Sequence, residues 1–311
     1  MARGPVLFIG ETLVDLICER PVSGWSEAGP FVPHCGGAPT NAAIVAARCG
    51  TAVALGGGVG DDQWGDWLAA RLTAERVGLE WWARLPGVRT AVAFDVIDLD
   101  AVPDFLIYGD GIEPAVRALE PRLGDAVAAC SAVELGSNTL VGEGEREVCR
   151  RARALALDAG LPLVVDVNLR LHRWASAEEA VAVVRELCTG ALLVKLSREE
   201  AALLGGEGDP ARAAEAVCAS LGVRLAVVTL GADGALLRGD ARADAPGVAA
   251  RVVDTTGAGD AVTGVLVAAL AAGGFDPQAA ADALPCAVEV AARSTEAYGA
   301  VEALPARIPL G

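Results

Sequence analysis

Residues Asp254 to Asp260, DTTGAGD, set two carboxylates, two hydroxyls and two glycines at the mouth of AVTGVLVAALAAGG, a small-residue, apolar, helix-forming run. Gly257 and Gly259 allow a tight turn, and the backbone from Gly257 through Ala258 and Gly259 to Asp260 supplies N–H groups at a helix N-terminus. Such groups lack intrahelical partners, and together with the helix dipole they attract an anion. Asp260 then sits within about one helical turn of that anion. A carboxylate beside a phosphate is unfavourable unless it has a role there, such as accepting the proton of a hydroxyl that attacks phosphorus. Either acid could instead do no more than cap the helix. Two glycines between them exceed what a cap requires.

Further polar residues stand where short apolar runs end. Glu11 and Asp15 follow VLFIG, and Asp166, Asn168 and Arg170 follow LPLVV. Lys195, Ser197 and Glu200 follow ALLV, and Thr229 and Gly231 follow LAVV. One such residue alone is usually a cap or a turn. Together they form a ring at one edge of a sheet, where open α/β folds bind ligands.

The elements that would position this ring are legible as strands alternating with helices. SAVEL (131–135), LPLVV (161–165), ALLV (191–194) and LAVV (225–228) read as buried strands, separated by helical patterns near 143–159, 176–188 and 210–221. That rhythm predicts an α/β fold, a mostly parallel sheet with helices on both faces. Residues 13–35 and 88–110 break it with strand-like runs that no helix separates. They could pair into a small β-sheet that serves as a lid, leaving 1–12, 36–87 and 111–311 as the main domain. They could equally be two separate surface hairpins.

Composition narrows the function. A formal charge of −16 argues against nucleic acid or an anionic membrane as partner. No apolar run approaches the length of a membrane span, and the start reads as a first strand, so a soluble cytoplasmic protein is expected. Eight scattered cysteines without a C-x-x-C pair read as reduced core thiols, and with only His34 and His172 a structural zinc site is not expected. The chain has 24 arginines and one lysine, Lys195. The P-loop and protein-kinase motifs are absent.

With these residues assembled, the chain resembles the ribokinase (PfkB) family of carbohydrate kinases. GGAPTNAAIVAARCG (36–50) resembles that family's N-terminal signature and DTTGAGDAVTGVLVAAL (254–270) its C-terminal one. GETLVD, GVGDDQWG, GSNTL, DVNLRLHRW, VKLSREE and VTLGADGALL follow the family order, and the set looks most like the bacterial fructokinase branch. The resemblance implies a ribokinase-like fold and transfer of the ATP γ-phosphoryl group to a sugar hydroxyl, with Mg²⁺ and a monovalent cation such as K⁺. It implies Asp260 as base, with Gly257, Ala258 and Gly259 as the anion hole. Asp15, Gly36, Gly37 and Asn41 would hold sugar hydroxyls, with Arg170 on the substrate side. Asn168, Lys195, Ser197, Thr229 and Gly231 would meet the nucleotide. Glu200 matches the acid of an N-x-x-E motif linked to the hydrated metal, although Ser197 stands where that motif has asparagine.

Two departures bear on substrate. Fructokinases commonly carry an aromatic-arginine pair in the second lid segment, where Tyr108 is followed here by Gly109 and Asp110. Val262 replaces the usual aromatic of the second signature. A 2-keto-3-deoxygluconate kinase and a ribosyl or nucleoside kinase are the alternatives within the family. A non-catalytic sugar-binding regulator would be expected to lose the base or the anion hole, and both are intact. The open face of a small lid sheet predicts a homodimer through it.

Overall fold

Alternation at a spacing of two divides the first strand between two cores. Val6 and Phe8 enter one apolar cluster and Leu7 and Ile9 the other, all fully buried. A strand covered on both faces can be apolar throughout. The computed structural model describes residues 4–206 and 208–310, without the side chain of Thr139. Residues 1–3 and 311, expected at the ends of the main domain, lie outside the described residues, as does Glu207.

In chain order the strands are β1 (Val6–Ile9), β2 (Leu13–Pro21), β3 (Phe31–Gly36), β4 (Val53–Gly60), β5 (Gly78–Leu85), β6 (Val92–Ile97), β7 (Pro103–Tyr108), β8 (Ala132–Gly136), β9 (Leu163–Asp166), β10 (Leu193–Ser197), β11 (Leu225–Thr229), β12 (Gly234–Gly239) and β13 (Ala243–Pro246). Nine form one sheet in the order β13-β12-β11-β10-β9-β8-β1-β4-β5. Seven of them, β11 to β5 in that order, run parallel, and β12 and β13 add an antiparallel edge. The expected α/β architecture is present, with helices on both faces. Helices Ala38–Arg48, Ala258–Ala272 and Pro277–Ser294 pack on one face. Helices Leu123–Ala129, Glu143–Asp158, Ala177–Cys188 and Pro210–Leu221 pack on the other.

The strands outlast their apolar runs. Asp166, Ser197 and Thr229 close β9, β10 and β11, and Lys195 lies in the middle of β10, none of them the first residue of a loop. The backbone ladder continues whatever the side chain, and parallel register sets Lys195 opposite Asp166 and Ser197 opposite Thr229.

The two helix-free segments pair into one four-stranded sheet, β3-β2-β6-β7, joined through a parallel β2–β6 contact. Gly36 closes β3 in this sheet. Its inner face carries Asp15, Ala93, Asp95, Phe105 and Ile107. Its outer face carries Leu16, Phe31, Phe94, Leu106 and Tyr108 beside Trp25 and Trp64, around an open apolar groove.

Among the described residues no helix is long and apolar enough to cross a membrane. Among the described residues no cysteine forms a disulfide.

Candidate active site

The chain leaves β1 towards β4 on one side and later returns to build β8 on the other. That reversal makes a crevice beyond the carboxyl ends of the parallel strands. A cavity of about 790 Å³ lies there. Glu11, Asn138, Asn168, Arg170, Lys195, Ser197 and Thr229 line it from the strand ends. Gly257, Gly259 and Asp260 line it from the helix mouth, and the inner face of the small sheet closes the side opposite.

The helix mouth explains the motif that begins the C-terminal signature. Asp254 is fully buried and caps nothing in helix Ala258–Ala272. Its Oδ1 accepts from Thr256 N–H (2.8 Å) and its Oδ2 from Gly299 N–H (3.0 Å), which pins the turn to the C-terminal segment. Gly257 has φ +75°, and a Cβ there would stand 2.3 Å from the Ala300 Cβ, so no other residue fits without displacement. No side chain caps this helix. Ala258 N–H makes a long 3.3 Å bond to Thr255 O, and the orphan N–H groups of the first turn remain for a ligand. Thr255 donates through both N–H and Oγ1 to Ala101 O (3.2 and 3.1 Å), so the β6–β7 turn of the small sheet touches the same loop.

Asp260 lies in that first turn, 7% exposed. Its Oδ2 accepts from Asn41 Nδ2 at 2.9 Å, across 219 residues of sequence. The contact depends on Gly264, where a Cβ would lie 2.6 Å from Ala42 O and 2.7 Å from the Val45 Cβ. Close approach of the two helices therefore sets Asn41, three residues into its own helix behind Pro39, against the acid. Burial, followed by the charge of Asp166, pushes the Asp260 pKa up to about 7, against the Asn41 hydrogen bond and the Lys195 and Arg170 charges. A carboxylate that titrates near neutrality can exchange a proton at physiological pH.

The only lysine of the chain completes this wall. Lys195 Nζ donates to Asp166 Oδ1 at 2.7 Å, with both side chains buried. Thr263 Oγ1 donates to Asp166 Oδ2 (2.7 Å). Burial works against the ammonium charge, but Asp166 and Glu200 outweigh it and the Lys195 pKa is raised. A Cβ on Gly259 would come 2.7 Å from Nζ, so a fixed positive charge sits against the helix mouth. Glu200 Oε1 accepts from Leu169 N–H (2.6 Å) and Oε2 from Ser197 N–H (2.7 Å) while Ser197 Oγ accepts from Glu200 N–H, a reciprocal capping box. Both carboxylate oxygens are thus held by backbone, an arrangement that fits contact with a metal through water better than direct ligation. Among the described residues no cluster of three or more His, Cys, Asp or Glu is arranged to hold a metal directly.

The opposite wall is acidic. Burial, then the charges of Asp95, Asp254, Asp260 and Glu11, raise the Asp15 pKa well above the usual carboxylate range. Glu11 Oε1 accepts from Ala38 N–H (3.1 Å) and Asn138 Nδ2 (2.7 Å), and Arg173 donates in turn to Asn138 Oδ1. Arg170 stands 5.7 Å from the Phe105 ring centroid, in cation–π contact with the small sheet.

The cavity gathers Asp15, Gly37, Asn41, Asn168, Arg170, Lys195, Ser197, Glu200, Thr229, Gly257, Gly259 and Asp260. Gly36, Ala258 and Gly231 do not line it. Gly36 instead makes room behind Asp15, whose carboxylate oxygen would lie 2.2 Å from a Cβ there. Tyr108 and Gly109 line the outer groove. The missing arginine at 109 therefore says little about the cavity, and its acidic wall carries that argument instead. Asp95 and Asn138 line the cavity without having been assigned to it from sequence, while Asp166, read from sequence as part of the sheet-edge ring, serves to hold Lys195. Asp95 had a signal: in VAFDVI it alternates with Phe94 and shares the parity of Ala93.

A buried carboxylate at an uncapped helix mouth, set beyond the carboxyl edge of a parallel sheet, suits a phosphotransferase with an alcohol acceptor. Residues 5–307 match the pfkB family carbohydrate kinases, and the chain belongs to that family. Fructokinase-2 of Solanum lycopersicum is 33% identical over 270 residues, 86% of this chain and 81% of its own length. A double mutant of fructokinase from Vibrio cholerae O395, solved in fructose, ADP and potassium ion bound form, has TM-score 0.78 and 28% identity, covering 97% of this chain and 95% of its own. Aminoimidazole riboside kinase from Salmonella enterica, solved with aminoimidazole riboside and an ATP analogue, has TM-score 0.78 and 26% identity, covering 97% and 96%.

Proposed function

We propose that this carbohydrate kinase phosphorylates a neutral keto-sugar, fructose or a near relative, with ATP as donor. The observation that carries the reading is the buried Asp260–Asn41 pair beside the uncapped helix mouth. Asp260 takes the proton of the attacking hydroxyl, and the first-turn N–H groups of Gly257 to Gly259 receive the phosphoryl oxygens. Lys195 places its ammonium against the same oxygens, with Asn168, Ser197, Thr229 and Gly231 towards the nucleotide. Mg²⁺, when bound with the nucleotide, neutralises phosphate charge, and Glu200 would hold it through water. A K⁺ requirement, as the potassium-bound fructokinase suggests, belongs to the same reading.

The small sheet serves as a lid that excludes water as a competing acceptor. Sugar and nucleotide together should then protect residues 13–35 and 88–110 from amide exchange in concert. Protection of one segment alone would reject a common lid. Its outer face, with Leu106 and Tyr108 about half exposed, is the surface through which two copies would pair.

Substrate class follows from the acidic wall. Asp15, Asp95 and Glu11 offer hydrogen-bonding oxygens but no positive charge to a substrate carboxylate, and a buried unpaired carboxylate costs several kcal/mol. We expect kcat/KM for fructose to exceed that for 2-keto-3-deoxygluconate by more than about tenfold. Assaying both side by side decides the matter, since preference for the acid, for example through Arg170, would reject the ketose reading and leave the kinase standing.

A further inference from the structure

Asp95 takes no part in the phosphoryl transfer itself. It lies in β6, is 3% exposed and lines the cavity, yet its Oδ1 makes no hydrogen bond. In the β2–β6 register Asp15 stands opposite Ala93 and Ile17 opposite Asp95, so Asp15 and Asp95 share the inner face of the small sheet. Among the described residues no cation pairs with it. His34, whose charge favours ionised Asp95, is itself held between Glu19 (3.0 Å) and Glu302 (3.3 Å). Burial, followed by the charge of Asp254, pushes the Asp95 pKa up to about 7.

Two neighbours in the cavity share the condition. Glu11 Oε2 and Asn41 Oδ1 are also buried without partners. Buried acceptors without donors are costly, and native folds seldom tolerate several at one place. This wall thus presents acceptors for which the protein supplies no donor, and they converge on the space where the sugar would lie.

We propose that Asp95 is a specificity-determining residue that accepts a hydrogen bond from a donor on the sugar, a hydroxyl or an ammonium, and so selects against analogues lacking it. The proposal rests on the sugar-kinase reading and adds to it a group carried by the small sheet, so the donor is read only where that sheet covers the cavity. A site built to bond a substrate group discriminates strongly against its absence, because the partner is then left buried and unpaired.

The test compares kcat/KM for D-fructose with that for its monodeoxy and monoamino analogues, in wild type, Asp95→Val and Asp95→Asn. In wild type one deoxy analogue should fall about 10- to 100-fold below fructose. In Asp95→Val that penalty should shrink to within about threefold while penalties at other carbons persist. Asp95→Asn, which keeps shape and one acceptor, should fall between them and serves if the valine variant folds poorly. The amino analogue at the same carbon separates the two donors: a wild-type preference for it identifies an ammonium, and a preference for fructose identifies a hydroxyl. Discrimination unchanged in both variants, or lowered equally for every analogue, would overturn the assignment and leave the kinase reading intact. A wild type that phosphorylates none of these sugars would overturn both.

Discussion

Asp260→Asn should lower kcat by about 10²- to 10⁴-fold while leaving ATP affinity close to wild type. The amide keeps the size of the carboxylate and can still face Asn41 Nδ2, now 2.9 Å from Oδ2, but it cannot accept a proton. The wild-type pH profile provides an independent reading. The Asp260 pKa is pushed up to about 7, chiefly by burial, and only the ionised form is a base. Activity should therefore fall as pH drops through about 7, and that limb should be missing in the asparagine variant. A variant with near wild-type turnover would remove Asp260 from the chemistry, whatever its effect on stability.

The second large effect falls on stability and nucleotide binding together. Lys195→Met leaves Asp166 buried with Thr263 as its remaining side-chain donor. Removing one partner of a buried ion pair costs about 3–5 kcal/mol, because the other charge stays in the interior uncompensated. For a chain of this size the thermal midpoint should drop by on the order of 10 °C. KM for ATP should rise as well, since the ammonium at the helix mouth is lost. Adding Asp166→Leu removes the stranded charge and should restore much of the stability, but none of the nucleotide affinity. A single variant that melts like wild type would show that the pair contributes little. A double variant that regains ATP affinity would show that Lys195 does not meet the phosphates.

Much of this arrangement was legible because chain chemistry and periodicity agree. DTTGAGD before an oily helix announced a glycine turn and an acid at a helix mouth, and Gly257, Gly259 and Asp260 line the cavity there. Polar residues at four strand ends announced one sheet edge, and the parallel order brings them there. Strand limits were less legible, since β9, β10 and β11 take in Asp166, Lys195 and Thr229 although polarity changes before them. The pairing of Lys195 with Asp166 depends on strand register, which no local pattern in either strand encodes. Asp254 read as a possible cap, but its carboxylate joins Thr256 N–H to Gly299 N–H, 45 residues away. Tyr108 and Gly109 were read as sugar-side positions, but strand parity turns Tyr108 outward and sends Phe105 and Ile107 inward. Alternation was visible in PDFLIY; which phase faced the cavity depended on packing against the rest of the chain.

The central claim is that ATP is cleaved by a sugar hydroxyl under the action of Asp260, and product stoichiometry tests it most directly. With ATP, Mg²⁺ and fructose, ³¹P NMR of wild-type reactions should show ADP and a sugar phosphomonoester rising in equal amounts. Asp260→Asn, folded and binding ATP, should show neither above a trace. Inorganic phosphate as the main product, or equal sugar phosphate from the variant at the wild-type rate, would contradict the account.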